Sequence, residues 1–299
     1  VNSALKQEDQ SRMFVEYTDE GEKSYQLLSG TFSTQLIEAK EKHDMESNRV
    51  LQLDWFDPHA KAKVPELMSE IPEDFNDCSK LLKTWDYNAT PESVAAAVWA
   101  IFQDELIRHA IADEVGEREY KIYVAAAVNT RTVIDANLDA FVEDRTATIK
   151  AALESTCALM TEKFGEDKKE WRWGKLHALH IKHPMGEQSS LLKSWNMPRI
   201  EYGGSHATVN QAGFSWYHEN LETNWMASMR LLVPLSDPGK ATFIYPGGQS
   251  GHPKHPHYKS LMEPFAAGQQ VPLYFSDEDV QKHAVHILKL FPKQEEVLP

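Results

Sequence analysis

Six histidines form two short clusters whose side chains could bind a metal or carry protons. The segment WGKLHALHIKHP, residues 173–184, places His177, His180 and His183 three residues apart, and GHPKHPHY, residues 251–258, adds His252, His255 and His257. Imidazole is a zinc ligand and a proton carrier near neutral pH, so either chemistry is open to such clusters. A shared ion needs ring nitrogens that converge. On a β-strand successive side chains point to opposite faces. His177 and His183 then share one face with Trp171, Trp173, Lys175, Leu179 and Ile181, and His180 lies on the other. A regular strand splits the triplet, and neither His-Glu-x-x-His spacing nor paired cysteines offers a tetrahedral set. Around the second cluster Pro253 and Pro256, with Gly247, Gly248 and Gly251, mark a loop. There the imidazoles are expected to be turn residues and hydrogen-bonding groups.

A serine nucleophile is weighed in the same way. Gln249, Ser250 and Gly251 do not complete the Gly-x-Ser-x-Gly elbow, so Ser250 is expected to be a turn residue. Asp277, Glu278 and Asp279, which follow Ser276, fit the favourable end of a helix dipole rather than a catalytic carboxylate pair.

The elements that must position these residues change in texture near residue 170. The stretch 31–56, TFSTQLIEAKEKHDMESNRVLQLDWF, opens on capping residues and continues in helix formers. TPESVAAAVWAIFQDELIRHAIADEV predicts a long helix with Thr90 as N-cap and Pro91 at the first helical position. Pro58, Pro65 and Pro72 punctuate the segment between them. Residues 131–168 are expected to continue helical and to stop at Gly165. From residue 171 onward short alternating stretches, among them residues 171–183, SHATVNQAG, WMASMRLLVPLS, ATFIYPGG and QQVPLYFS, are separated by Gly, Pro, Asn and Ser. Helices first and strands afterwards predict an α+β fold, with 1–170 mainly helical and 171–299 strand-rich and antiparallel.

Composition narrows the function classes. A chain of 299 residues with 41% hydrophobic residues can bury a substantial core. Its net charge of −14, with the basic residues scattered, opposes nucleic acid and anionic membrane as partners. The longest strongly apolar run, Val94 to Phe102, is well short of the roughly 20 residues a spanning helix needs. The N-terminus, VNSALKQEDQSRMF, lacks the pattern of a secretory signal peptide. Cys78 and Cys157 fit one long-loop disulfide or two buried thiols equally well, with buried thiols the slightly favoured expectation.

The same histidine segment carries a family likeness. WRWGKLHALHIKHP resembles the Trp-Gly-x-x-His segment, closed by His-Pro, of the penicillin acylase family of N-terminal-nucleophile hydrolases. Further segments agree in order along the chain. LLKTWDYNATPESVAAAVWAIF resembles the family's Leu-x-x-Trp-Asp stretch, and GGSHATVNQAG, with Thr208, Val209 and Asn210, its glycine-led Thr-Val-Asn segment. MASMRLLVPL, with Ser228 and Arg230, resembles its Ser-x-Arg strand. PGGQSGHPKHPHY resembles its Gly-Gln-Ser-Gly turn, and QQVPLYFSDEDVQKHA its closing strand and helix. Two positions depart from the pattern: Ser24 and Tyr25 stand where the family often has Arg-Ile, and Val233-Pro234 where it has Val-Asp. Both are read as structural drift.

The resemblance implies that residues 1–299 are the C-terminal portion of one penicillin-acylase-like domain, part of a four-layer αββα fold and of the large (beta) subunit. It implies hydrolysis of an acyl amide, such as a penicillin side chain or an acyl-homoserine lactone. The nucleophile, a Ser, Thr or Cys whose own α-amine acts as base, is expected outside this chain. Val1 has no hydroxyl or thiol, and Ser3 no free amine. His177, His183, Asn210, Ser228, Arg230, Gln249, Ser250, Gly251 and His257 are then architectural, with no catalytic and no metal-binding residue here. The family often binds calcium through upstream residues, so no cofactor is expected on this chain itself. The implied partners are the remaining large-subunit segment, a small (alpha) chain and a small-molecule acyl amide, and the implied compartment is periplasmic or extracellular. The competing expectations are an inactive scaffold or binding protein with the acylase fold, and a histidine-cluster metalloenzyme.

Overall fold

A computed structural model of the chain describes residues 25–120, 138–215 and 220–290, with the side chains of 25–31 and 224 left aside. Val1, Ser3 and Ser24 lie outside the described residues, as does the part of the expected 131–168 helix before residue 138.

The helical half is assembled around one long buried helix. The first helix, α1 (Tyr25–Glu38), is separated from α2 (Met45–Gln52) by a break, because Asp44 and Ser47 form a reciprocal cap there. The 31–56 stretch is therefore two helices. Next come α3 (Pro58–Met68), capped by Asp57, and α4 (Asp77–Lys83), capped by Asn76. The central helix α5 (Val94–Val115) has sixteen of its twenty-two residues buried, as an apolar helix with no polar stripe must. Its N-cap is Ser93, which accepts from the Ala96 amide at 3.2 Å. The expected start at Thr90 is thus three residues early. The Pro91 and Ser93 carbonyls accept from Gly174 and Trp173 at 2.7 and 3.0 Å, so this turn serves the strand half. Helix α6 (Arg145–Phe164), capped by Asp144 and ended by Gly165 at φ +80°, packs along α5.

A disulfide joins Cys78 of α4 to Cys157 of α6, so the expectation of two buried thiols is corrected. Both residues sit where α4 packs on α6, and spacing alone could not show that proximity.

The second half begins with a further correction. Residues 171–183 are not one alternating strand: Trp173–Leu176 form a helical turn, α7, and only Ala178–Leu179 are strand, β1. After α8 (Pro184–Gln188) come β2 (Ile200–Glu201), β3 (Ala212–Phe214) and β4 (Thr223–Met226). These form a sheet in the order β2-β1-β4-β3, antiparallel except for the β1/β4 pair. The strands β5 (Arg230–Leu232), β6 (Thr242–Ile244) and β7 (Val271–Pro272) form a second, wholly antiparallel sheet. Helix α9 (Met262–Ala266) precedes β7, and α10 (Asp277–His283), capped by Ser276, follows it as expected. The architecture is α+β, with helices and largely antiparallel strands in succession.

Backbone bonds tie the halves together. The Gly204 amide donates to Ala89 at 2.7 Å, and Asn210 to Asp54 at 2.9 Å. A Cβ on Gly203 would stand 2.6 Å from the Ala89 carbonyl oxygen, which is why this crossing needs glycine. Among the described residues, no helix is long and apolar enough to cross a membrane.

Candidate functional site

Two of the sequence-derived residues meet in one buried centre. Arg230 opens β5 with its side chain on the inner face, only 3% exposed. Its Nη1 donates to the Phe265 carbonyl at 3.0 Å, and its Nη2 to the Tyr202 hydroxyl at 2.6 Å and to Asn210 Oδ1 at 2.9 Å. The Tyr202 hydroxyl donates to Asn210 Oδ1 at 3.2 Å, and the Phe265 ring lies 4.0 Å from the guanidinium carbon. Burial raises the Tyr202 pKa, with Arg230 pulling the other way, so the phenol stays neutral. A buried guanidinium is thus held by neutral oxygens and an aromatic face, and its Nε, like Asn210 Nδ2, has no partner among the described residues. The cluster offers no nucleophile and no group that titrates near neutral pH. What it does is join β5, the loop before β3 and α9.

His177 is the second buried centre. The α7 turn puts it four residues from Trp173 on one helical face, and the rings stack at 4.5 Å and 7°. Its Nδ1 must donate to the Leu221 carbonyl at 2.7 Å, which leaves Nε2 the bare nitrogen, and burial lowers its pKa to about 4. It is a neutral packing residue between the α7 turn and the start of β4. The expectation of a buried sheet position fails in its geometry but holds in its burial.

The remaining histidines of the two clusters divide into one that contacts a carboxylate and others that shape turns. His180 Nδ1 lies 3.3 Å from Glu222, which Arg199 also binds at 2.9 Å. His183 is half-buried and caps α8, accepting from the Met185 amide at 3.1 Å, so it too leaves the expected sheet face. His252 and His255 accept from the amides two residues on, at 3.2 and 3.1 Å. Among the described residues no group of three or more His, Cys, Asp or Glu side chains could hold a metal ion.

The Gly-Gln-Ser-Gly turn is built from backbone. A Cβ on Gly248 would stand 2.1 Å from the His257 carbonyl oxygen, whereas one on Gly251 would meet open space. Ser250 donates its amide to that same carbonyl at 3.2 Å and accepts at Oγ from His252 at 3.1 Å. Gln249, Gly251 and the His257 side chain are exposed, as is Ser228 between β4 and β5. The structure therefore unites Asn210 with Arg230, and Gln249, Ser250 and Gly251 with His257, and leaves His177, His183 and Ser228 elsewhere.

Several partners escaped the sequence: Tyr202, Phe265, and a pair between the long helices. His109 Nε2 lies 2.8 Å from Ser155 Oγ. Glu105 approaches that same nitrogen, at 3.8 Å, and Arg108 stands 3.2 Å from it. An activating carboxylate would orient the other ring nitrogen. Burial and the Arg108 charge lower the His109 pKa, and the pair fastens α5 to α6.

The family model "Penicillin amidase" matches residues 30–282. An acyl-homoserine lactone acylase QuiP of Pseudomonas fluorescens Pf0-1 is 27% identical over 208 residues, covering 64% of this chain and 24% of its own. The protein of the same name in Pseudomonas aeruginosa PAO1 is 24% identical over 230 residues, covering 67% of this chain and 27% of its own. The chain thus spans about a quarter of the length of these relatives. Among solved structures, a thermostable penicillin G acylase from Alcaligenes faecalis superposes with a TM-score of 0.51 over 87% of this chain and 51% of that one. Its 12% identity makes that a likeness of fold.

Proposed function

Because the chain belongs to the penicillin amidase family, matched over residues 30–282, we propose that it is the C-terminal portion of an amidohydrolase. The reaction is hydrolysis of an acyl amide such as a penicillin side chain or an acyl-homoserine lactone. The family match carries this proposal. What supports it beside that match is that Arg230, Asn210 and His177 bond across loops and strands and Gly248 lies tight against the His257 carbonyl, the contacts of scaffolding residues in such an enzyme. The nucleophile, the calcium ligands, the remaining large-subunit segment and the small chain belong to other segments in this proposal, and residues 1–299 form one unit of the assembled enzyme. The Cys78–Cys157 disulfide supports a periplasmic or extracellular location, since structural disulfides persist in oxidising compartments.

The test is hydrolysis by an assembly of this chain with the other acylase segments. Release of free acid is measured across a panel of N-acyl amides, including penicillins and acyl-homoserine lactones of graded chain length. Hydrolysis that requires this chain supports the proposal. An assembly that forms but turns over no member of the panel refutes it in favour of a scaffold.

A further inference from the structure

Three buried donors around Arg230 have no acceptor. They are Arg230 Nε, Asn210 Nδ2 and Trp55 Nε1, none of which has a hydrogen-bond partner among the described residues. Buried donors are nearly always paired, so a group of three calls for a physical cause. The first two are neighbours by construction. In a guanidinium the Nε–H lies along the same edge as Nη2, and Nη2 donates to Asn210 Oδ1 at 2.9 Å. Asn210 Nδ2 is bonded to the same carbon as that oxygen, so Arg230 Nε and Asn210 Nδ2 flank a single contact. Trp55 packs on the same small core, its ring edge-on to Tyr202 at 5.6 Å. The carbonyl just before it, that of Asp54, accepts from the Asn210 amide at 2.9 Å.

Charge points the same way. Arg230 is 3% exposed and bonds only to neutral oxygens, so among the described residues no carboxylate balances it. The Asp54 carboxylate, next to Trp55 in sequence, accepts from the Phe56 amide at 2.9 Å instead. The acceptors beside the guanidinium are already engaged: Asn210 Oδ1 accepts from Arg230 and from Tyr202, and the Tyr202 hydroxyl accepts from Arg230. A water among the three donors would bring two hydrogens of its own, with no unused side-chain acceptor in this cluster to take them. An anion brings acceptor capacity alone.

We infer that Arg230 Nε, Asn210 Nδ2 and Trp55 Nε1 bind a small monovalent anion of the size of chloride. One negative charge matches the one guanidinium. Leu179, Ala212, Ile244 and Met262 of the surrounding core are all 0% exposed, so a divalent oxyanion would bury a second charge with nothing to balance it. The bound ion links β5, the loop before β3 and the connection between α2 and α3, where Trp55 lies.

The experiment uses the full chain with bromide as the probe, a halide close to chloride in size whose anomalous scattering identifies it. Bromide replaces gluconate at constant sodium and ionic strength, and urea unfolding is followed at each concentration. In gluconate the guanidinium keeps only its neutral acceptors. A site with a Kd of about 10 mM raises the folded-to-unfolded ratio at fixed urea about tenfold between about 1 and 100 mM bromide. Arg230→Met should abolish that gain. Trp55→Phe, which keeps an aromatic ring but not the N–H, should raise the Kd about tenfold. In crystals grown in bromide, an anomalous peak within hydrogen-bond distance of Arg230 Nε and Asn210 Nδ2 supports the site. An equal gain in Arg230→Met is a general salt effect and overturns the inference. A parent ratio that bromide leaves unchanged overturns it too, as does a density peak without anomalous signal, which is a water. Trp55→Phe binding as tightly as the parent overturns the convergence of the three donors on one ion.

Discussion

Arg230 offers the sharpest energetic test, because a buried cation without a carboxylate makes an unusual prediction. Replacing it by Met fills similar volume and removes bonds to Phe265, Tyr202 and Asn210. The Tyr202 hydroxyl still has Asn210 Oδ1 at 3.2 Å and the Phe265 carbonyl still accepts from the Gly268 amide at 3.1 Å, so no acceptor is orphaned and the lost bonds cost about 1–3 kcal/mol. Loss of the ring contact adds up to about 2 kcal/mol. Against this, the guanidinium no longer has to be desolvated, a relief of several kcal/mol. The terms nearly cancel, and the expected net change for Arg230→Met lies within about 2 kcal/mol of zero. Asn210→Leu keeps the buried charge and takes one of its acceptors, which costs about 3 kcal/mol. Removing a neutral partner should thus destabilise more than removing the cation. The double variant should cost at least about 2 kcal/mol less than the two single costs added together, since the orphaned charge is gone. Urea unfolding followed by tryptophan fluorescence measures all three, provided the slopes agree. If Arg230→Met is the costlier single change, or if the cycle is additive within about 0.5 kcal/mol, the guanidinium is a net stabiliser and the reasoning fails.

Three further outcomes are expected. Cys78→Ala with Cys157→Ala opens a loop of separation 79 and should cost up to about 4.5 kcal/mol by loop entropy, read as a fall in unfolding midpoint that a reductant reproduces in the parent. His177, with its folded pKa lowered to about 4 from 6.5, takes up a proton on unfolding. Stability should therefore fall between pH 6.5 and 4 by about 3 kcal/mol more than in His177→Gln, and equal pH profiles would show His177 to be solvated. Gly248→Ala, driven into the His257 carbonyl, should cost about 1–3 kcal/mol, whereas Gly251→Ala should stay within about 0.5 kcal/mol of the parent.

Helix signals were the most legible part of the fold, because caps and terminators act locally. Gly165 ends α6 and Ser276 begins α10 as their residue types require, and the α+β order follows from the change in texture near residue 170. Errors arose where tertiary bonds overrode local preference. Thr90 is a good cap, yet the carbonyls that follow it are taken by Trp173 and Gly174 from the far side of the fold, and the helix waits for Ser93. The sequence leaves the disulfide and two thiols as equal fits for Cys78 and Cys157, since 79 intervening positions say nothing about whether α4 and α6 touch. The family resemblance, by contrast, rested on ordered short motifs and agrees with a match across residues 30–282.

The histidine segment shows why motif spacing misled at the site itself. Period two assigns His177 and His183 to one face, but the bonds from Trp173 and Gly174 back to Ser93 and Pro91 fold residues 173–176 into a turn. Period 3.6 then applies, and Trp-x-x-x-His becomes a stacked pair rather than two rungs of a ladder. The signal was present in the four-residue spacing, and only the choice of period hid it. The same local turn aims the His177 Nδ1 proton at Leu221, ahead of β4, so that one imidazole links the helical half's contact strip to the four-stranded sheet. A residue type suited to proton transfer has here been used for its shape and its single directed bond. Desolvation holds it neutral, so that choice carries no charge cost at neutral pH.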